Sequence, residues 1–165
     1  MKIKQAYTYR QGLRDGVPVG LGYLSVSFGF GLAVVSAGLS PLIAILISMT
    51  NVTSAGQLAA VPIMAAGGSI LELCGAQLVI NMRYSLMSVS LSQKLGKSVR
   101  LRDRFLISFV NTDEGFAVAS AQNGTVGRKY LYGLILTPYL GWSFGTFLGA
   151  AAGDILPSFI TSALG

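Results

Sequence analysis

From Gly16 to Leu71 the chain runs 56 residues without a formal charge, and from Tyr130 to Gly153 it runs another 24. A water-soluble fold of 165 residues has too much surface to leave stretches of that length uncharged. A bilayer interior about 30 Å thick asks for roughly 20 apolar residues per helical crossing, and these stretches hold several. Composition agrees: 52% of residues are hydrophobic and 11% charged, where soluble domains carry about a quarter, and the mean hydropathy is +0.63. The fold class is therefore an all-α integral membrane protein, a single transmembrane domain embedded in the lipid bilayer.

Five hydrophobic segments can be marked out, at about 17–37, 41–66, 69–91, 105–121 and 130–153. Pro18 is expected in the first turn of segment one, where a missing N–H costs little. Fifteen polar or mixed residues precede that segment and no small-x-small cleavage site leads into a hydrophilic domain, so it is expected to remain as a span. Segment two is interrupted at Thr50-Asn51-Val52-Thr53-Ser54-Ala55-Gly56-Gln57. The apolar pieces on either side are short, as in broken or re-entrant helices. Segment four carries Asn111-Thr112-Asp113-Glu114-Gly115 at its midpoint, and a kink is expected at Pro138 in segment five.

The net charge of +6 is not a nucleic-acid signal. Every basic residue except Arg83 flanks a hydrophobic segment or lies between two. Lys2, Lys4, Arg10 and Arg14 precede the first; Lys94, Lys97, Arg100, Arg102 and Arg104 crowd the loop 93–104; Arg128 and Lys129 precede the last. Such placement follows anionic headgroups and the positive-inside bias. The N-terminus and the 93–104 loop are accordingly expected to be cytoplasmic, which requires an even number of crossings between them. Three segments lie there, so the favoured arrangement has segment two entering without crossing. The alternative has all three crossing and one basic stretch outside.

Gly12, Gly16 and Gly20 recur every four residues, as do Gly141, Gly145, Gly149 and Gly153. On a helix each set lies along one seam, where small residues let backbones approach in lipid. A packing or dimer face is expected there, its partner intramolecular or a second copy in a homo-oligomer. The chain has no histidine and one cysteine, Cys74. Histidine-based catalysis, histidine-ligated metal and an intramolecular disulfide are thus excluded, and Cys74 reads as a small packing residue.

A central charged side chain costs about 2.5–3.5 kcal/mol in a bilayer, so it must pair or line water. Four ionisable residues sit inside hydrophobic segments: Glu72, Arg83, Asp113 and Glu114. Glu72 and Arg83 stand about 16 Å apart on a continuous helix, so Arg83 is expected to pair with Asp113, Glu114 or an anionic substrate group. Two adjacent carboxylates in mid-segment repel and make a proton-loading or ammonium-binding site of Asp113 and Glu114, with Glu72 a further candidate. Thr53-Ser54-Ala55-Gly56 reads as the first turn of a new half-helix, whose free N–H groups suit a carboxylate. The candidate substrate-binding residues are Ser54, Ala55, Gly56, Gln57, Asn81 and Arg83. No enzyme is expected, because side chains adjacent on a helix diverge by about 100°. There is also no nucleotide-binding GxxxxGK[ST] motif, and no cofactor or metal is expected.

Several stretches together carry a family likeness: Gly12-Leu13-Arg14-Asp15-Gly16-Val17-Pro18, Phe28-Gly29-Phe30-Gly31-Leu32, Ser54-Ala55-Gly56-Gln57, Gln77-Leu78-Val79-Ile80-Asn81-Met82-Arg83-Tyr84, Thr112-Asp113-Glu114-Gly115-Phe116-Ala117, and Tyr139-Leu140-Gly141-Trp142 with Gly145-Thr146. In order and spacing the chain resembles the AzlC-type branched-chain amino acid permeases. The resemblance implies a multi-pass protein of the bacterial inner (cytoplasmic) membrane that exports branched-chain or other hydrophobic amino acids. It also implies a small AzlD-type membrane subunit as partner. Members of that family are longer, with further hydrophobic segments, so this chain is expected to be a truncated or split member completed by another polypeptide. From the residues, proton-coupled secondary transport leads; a passive pore or a non-transporting scaffold subunit is the alternative.

Overall fold

The computed structural model describes residues 7–155, and every regular element among them is a helix: α1 (Tyr9–Ser36), α2 (Pro41–Thr50), α3 (Ser54–Ala65), α4 (Ile70–Lys94), α5 (Leu101–Phe109), α6 (Asp113–Ala121) and α7 (Arg128–Ile155). Lys2 and Lys4 of the basic arm lie outside the described residues. Two units are distinguishable, one formed by residues through 21 with 83–140, the other by 22–82 with those from 141 onward. The three long helices each contribute to both. Among the described residues, α1 and α7 are long and apolar enough to cross a membrane. α4 has the length, at 25 residues, but carries the polar set Glu72, Gln77, Asn81 and Arg83.

α1 begins eight residues before the expected start of segment one. The hydroxyl of Thr8 accepts the N–H of Gln11 at 3.2 Å, and the following Arg, Gln and Leu are good helix formers. Pro18 therefore lies inside the helix rather than in its first turn, which corrects the sequence expectation. Asp15 becomes a residue of the helix body. α7 likewise continues through Pro138.

The unit containing residues 22–82 is built around a hairpin. Ser40 caps α2, its hydroxyl accepting from Ile43 N–H at 3.4 Å, and Pro41 opens the helix where its missing N–H does no harm. α2 ends as the hydroxyl of Thr50 turns back onto the carbonyl of Leu46 at 2.7 Å. Asn51 and Thr53 are extended, and α3 starts at Ser54. At 10 and 12 residues the two pieces are about 15 and 18 Å long, half a bilayer each. Ala44, early in α2, and Val61, late in α3, share one core with Phe30, Val34 and Ala150. The second half-helix thus runs back beside the first.

The other unit holds a second hairpin that the sequence reading had treated as one segment with a polar centre. α4 runs on to Lys94 and α5 starts at Leu101, so the loop between helices is 95–100, shorter than the expected 93–104. The cause is Asp103: its carboxylate accepts the N–H of Arg100 at 2.8 Å and the hydroxyl of Tyr132 at 2.7 Å, capping α5 within the basic stretch. The Nζ of Lys94 donates to the carbonyl of Gln122 at 2.6 Å and also to that of Ser120. The end of α6 therefore returns to the end of α4, and Leu91, Ile107, Ala119, Val126 and Tyr130 close a common core.

The Arg100 N–H, and after it the Tyr132 hydroxyl, hold the Asp103 carboxyl below the ordinary carboxylate range. A depressed folded-state value means that the contribution is complete above the unfolded value of about 3.9 and disappears as pH falls through the folded one. Asp103→Asn is thus expected to lower the unfolding temperature in detergent at neutral pH. The gap to the parent should close as pH drops below about 4. A pH-independent gap would contradict the assignment.

The glycine seams find intramolecular partners. In one unit, Gly12 lies against the Tyr130 backbone and Gly133 against Tyr9. In the other, Gly145 lies against Leu24, Gly149 against Phe28, and Gly153 against the side chains of Leu32 and Val35. Gly141, the remaining member of the run, is on the same helix.

Candidate functional site

The first break, residues 51–53, is organised by two glutamines. Gln57 is fully buried. Its amide nitrogen donates to the carbonyl of Asn51, and its oxygen accepts from Trp142 Nε1 at 3.2 Å and from the Ser48 hydroxyl at 3.5 Å. Ser48 continues to Thr146 Oγ1 at 2.7 Å. The side chain expected to contact substrate is thereby committed to holding the break open.

Gln77, on α4, works from the other side. A backbone carbonyl can only accept, so the bond to Gly56 O at 2.7 Å fixes the Gln77 amide nitrogen there. Its oxygen then faces Asn51 Nδ2 at 3.3 Å and Asn81 Nδ2 at 3.0 Å. That orientation leaves the Asn81 carbonyl oxygen buried without a partner, and the Thr53 hydroxyl is in the same condition. Thr53 occupies the N-cap position of α3 but makes no side-chain cap bond. Gly56 matters for space: a Cβ there would collide with Thr53 Oγ1 and lie 2.6 Å from Gln77 Oε1. The first helical bond of α3 is Gln57 N to Thr53 O at 2.9 Å, so the N–H groups of Ser54, Ala55 and Gly56 precede the helical ladder. The first turn of α3 thus has three N–H groups ahead of its helical ladder, and the two orphaned oxygens belong to Thr53 and Asn81, which both approach Gly56. Unsatisfied buried polar atoms are rare enough in folded proteins to call for an explanation.

The second break, residues 110–112, leads into charged residues. Thr112 caps α6 by accepting from Gly115 N–H at 3.4 Å. Asp113 and Glu114 fill the first helical turn, where carboxylates are favoured by the helix dipole. Arg83 Nη1 pairs with Asp113 Oδ2 at 2.8 Å, and its Nη2 donates to Tyr84 Oη at 3.1 Å. The ion pair expected from the sequence thus exists. The two side chains are 48% and 45% exposed, so the protein interior of that unit does not enclose them. Asn111, bonded to Ser88 at 3.5 Å, lines a cavity of about 270 Å³ whose wall includes Leu91, Phe105 and Arg104.

The structure thus groups Ser54, Ala55, Gly56, Gln57 and Asn81 in one unit and Arg83, Asp113 and Glu114 in the other. Glu72 stands in the first turn of α4, beside Gly68, where the helix dipole accounts for it. Two participants escaped the sequence reading. Asp15 accepts from Tyr130 Oη at 2.8 Å, and Lys94 caps α6. Asp15 was taken for the flank of a helix that in fact starts before it, and the Lys94 contact spans 26 residues with no local signal.

Long apolar helices joined by paired half-helices define a helical membrane protein. This chain belongs to the AzlC family: the family described as AzlC protein matches residues 18–156. Among curated relatives, the inner membrane protein YgaZ of Escherichia coli is 29% identical over 89% of this chain and 62% of its own length. An uncharacterized membrane protein of Archaeoglobus fulgidus is 31% identical over 93% and 67%. One of Helicobacter pylori is 23% identical over 90% and 67%. The chain spans between 62% and 67% of the length of these relatives. No solved structure matches it.

Proposed function

We propose that the chain is a subunit of a secondary transporter that exports branched-chain or other apolar amino acids, with the zwitterion held at the 51–56 break. The observation that carries this reading is the pair of orphaned oxygens, Asn81 Oδ1 and Thr53 Oγ1, beside the open N-terminus of α3. A carboxylate suits the amides of Ser54, Ala55 and Gly56, and an ammonium suits the two oxygens. The set is complementary to an α-amino acid and leaves its side chain to apolar surroundings. Asp113, reachable and paired with Arg83, takes the coupling proton: protonation removes its charge and frees the guanidinium. Glu114 shares the same helical turn. A small AzlD-type subunit completes the exporter, and the family relationship with an inner membrane protein supports placement in the bacterial inner membrane.

The test is amino acid efflux from cells loaded with leucine, valine or methionine dipeptides, with and without this chain and a candidate small subunit. Asn81→Leu removes one oxygen and Thr53→Val the other at nearly constant volume. Each is expected to weaken apparent substrate affinity roughly tenfold, the loss of one buried hydrogen bond to a charged group, without lowering the amount of protein in the membrane. Unchanged kinetics in both variants would remove the site. Efflux that ignores collapse of the proton gradient would favour the passive pore.

A further inference from the structure

We infer that the chain is a tandem duplication of one unit, a long helix followed by a hairpin of two half-helices, and that its successive copies lie inverted in the membrane. The boundaries repeat at an interval of about 59 residues: α1 ends at Ser36 and α4 at Lys94, α2 ends at Thr50 and α5 at Phe109, α3 starts at Ser54 and α6 at Asp113, α4 starts at Ile70 and α7 at Arg128. Both breaks are three residues long, 51–53 and 110–112. Each ends in a Thr-x-x-Gly turn, Thr53 to Gly56 and Thr112 to Gly115. The first ladder bond follows in the same place, Gln57 N to Thr53 O and Phe116 N to Thr112 O. Each hairpin closes on a glycine in the left-handed region, Gly67 at φ 67° and Gly124 at φ 79°.

Burial repeats as well. Ala44, Ser48, Val52 and Ala60 are buried in the first hairpin, and at the same interval Asp103, Ile107, Asn111 and Ala119 are buried in the second. Residue types at these places differ, so the shared property is position in the fold. The inward positions of α2 recur in α5, and Ala60 of α3 recurs as Ala119 of α6.

Inversion follows from counting crossings. A helix of 25 to 28 residues is about 38–42 Å long and carries the chain across a bilayer. Each hairpin returns to the end of the long helix before it, as Lys94 with Ser120 and Gln122 shows for the second. One crossing per copy is an odd number, so the next copy starts from the opposite side. Charge follows the same division. The turns at 37–40 and 66–69 hold no charge, whereas 95–100 holds Lys97 and Arg100, and 122–127 leads into Arg128 and Lys129. That is the positive-inside asymmetry with the basic turns in the cytoplasm. The inference stands apart from the substrate reading, since it concerns sidedness alone.

The experiment uses the full chain with its one cysteine, the exposed Cys74, replaced by serine. Single cysteines are then introduced at four exposed places, Ala37→Cys, Ala66→Cys, Lys97→Cys and Thr125→Cys. A membrane-impermeant maleimide applied to intact spheroplasts is expected to label positions 37 and 66, and positions 97 and 125 only after permeabilisation. Opposite sidedness of 37 and 66, or of 97 and 125, would mean that a hairpin crosses and would overturn the inference. So would labelling of all four from one side. Reporter fusions truncated after Ala66 and after Thr125 give a second reading that does not need each cysteine variant to fold. A cytoplasmic reporter at the first or a periplasmic one at the second would equally overturn it.

Discussion

Asp113→Asn is expected to reduce gradient-driven efflux to the level of membranes lacking the protein, while the protein remains inserted. Asparagine keeps the size of the side chain and its place in the first turn of α6, but it cannot take up or release a proton. Arg83 retains Tyr84 Oη at 3.1 Å, so one guanidinium contact survives. An unpaired charge in mid-bilayer costs about 2.5–3.5 kcal/mol. The real cost is smaller here, because both side chains are nearly half exposed on their own unit, which leaves room for local water to follow a stranded charge. Arg83→Gln should therefore lower the amount of folded protein severalfold at most.

The double variant Arg83→Gln with Asp113→Asn separates coupling from architecture. Removing both charges leaves neither one stranded, so folding should recover toward the parent. A purely architectural pair would regain efflux in the double variant. A proton carrier would not, and inactivity with restored insertion is the expected result. The duplicated fold adds a reason to look here: Ser54 and Ala55 hold in the first hairpin the places that Asp113 and Glu114 hold in the second. Equivalent backbone thus carries neutral groups at one break and acidic groups at the other.

What was legible in the sequence was whatever a bilayer imposes locally. The uncharged run from Gly16 to Leu71 dictated membrane helices. The break at 50–57 showed itself because Thr, Asn, Ser and Gly cannot continue an apolar span unnoticed. Arg83 announced a partner because an unpaired arginine is not tolerated. What stayed hidden depends on contacts distant in sequence. The return of α6 toward α4 is fixed by Lys94 reaching carbonyls 26 and 28 residues on, and nothing near Asp113 says that the chain reverses there. Gln57 read as a ligand group because it is polar and sits in a break; its hydrogen bond from Trp142, 85 residues away, had no local signal. The start of α1 was misplaced for a simpler reason. Pro18 resembles a helix opening, but the Thr8 cap and the strong helix formers after it extend the helix backward past the proline.

Gly149→Ala is expected to be among the most damaging single-methyl additions in the chain. At Gly149 a Cβ would stand closer than 3.0 Å to three backbone atoms of Phe28, including its carbonyl oxygen. Backbone cannot swing aside as the end of a side chain can, so α1 and α7 would have to separate locally. In lipid that loss is not offset by hydrophobic burial, because acyl chains are as apolar as the helix faces; close van der Waals packing and Cα–H···O contacts are what hold such pairs together. Overpacking a tight site costs about 1–3 kcal/mol, and here the added methyl also separates the neighbouring contact of Gly145 with Leu24. Gly22→Ala is the control, since a Cβ at Gly22 meets nothing within 4 Å and alanine should raise helix propensity there. Unfolding in detergent, followed by helical signal against temperature or denaturant, should place Gly149→Ala well below the parent and Gly22→Ala at or above it. Equal stability of the two variants would mean that the glycine run reflects composition, and the close approach of α1 and α7 at Phe28 could not then be what holds that unit together.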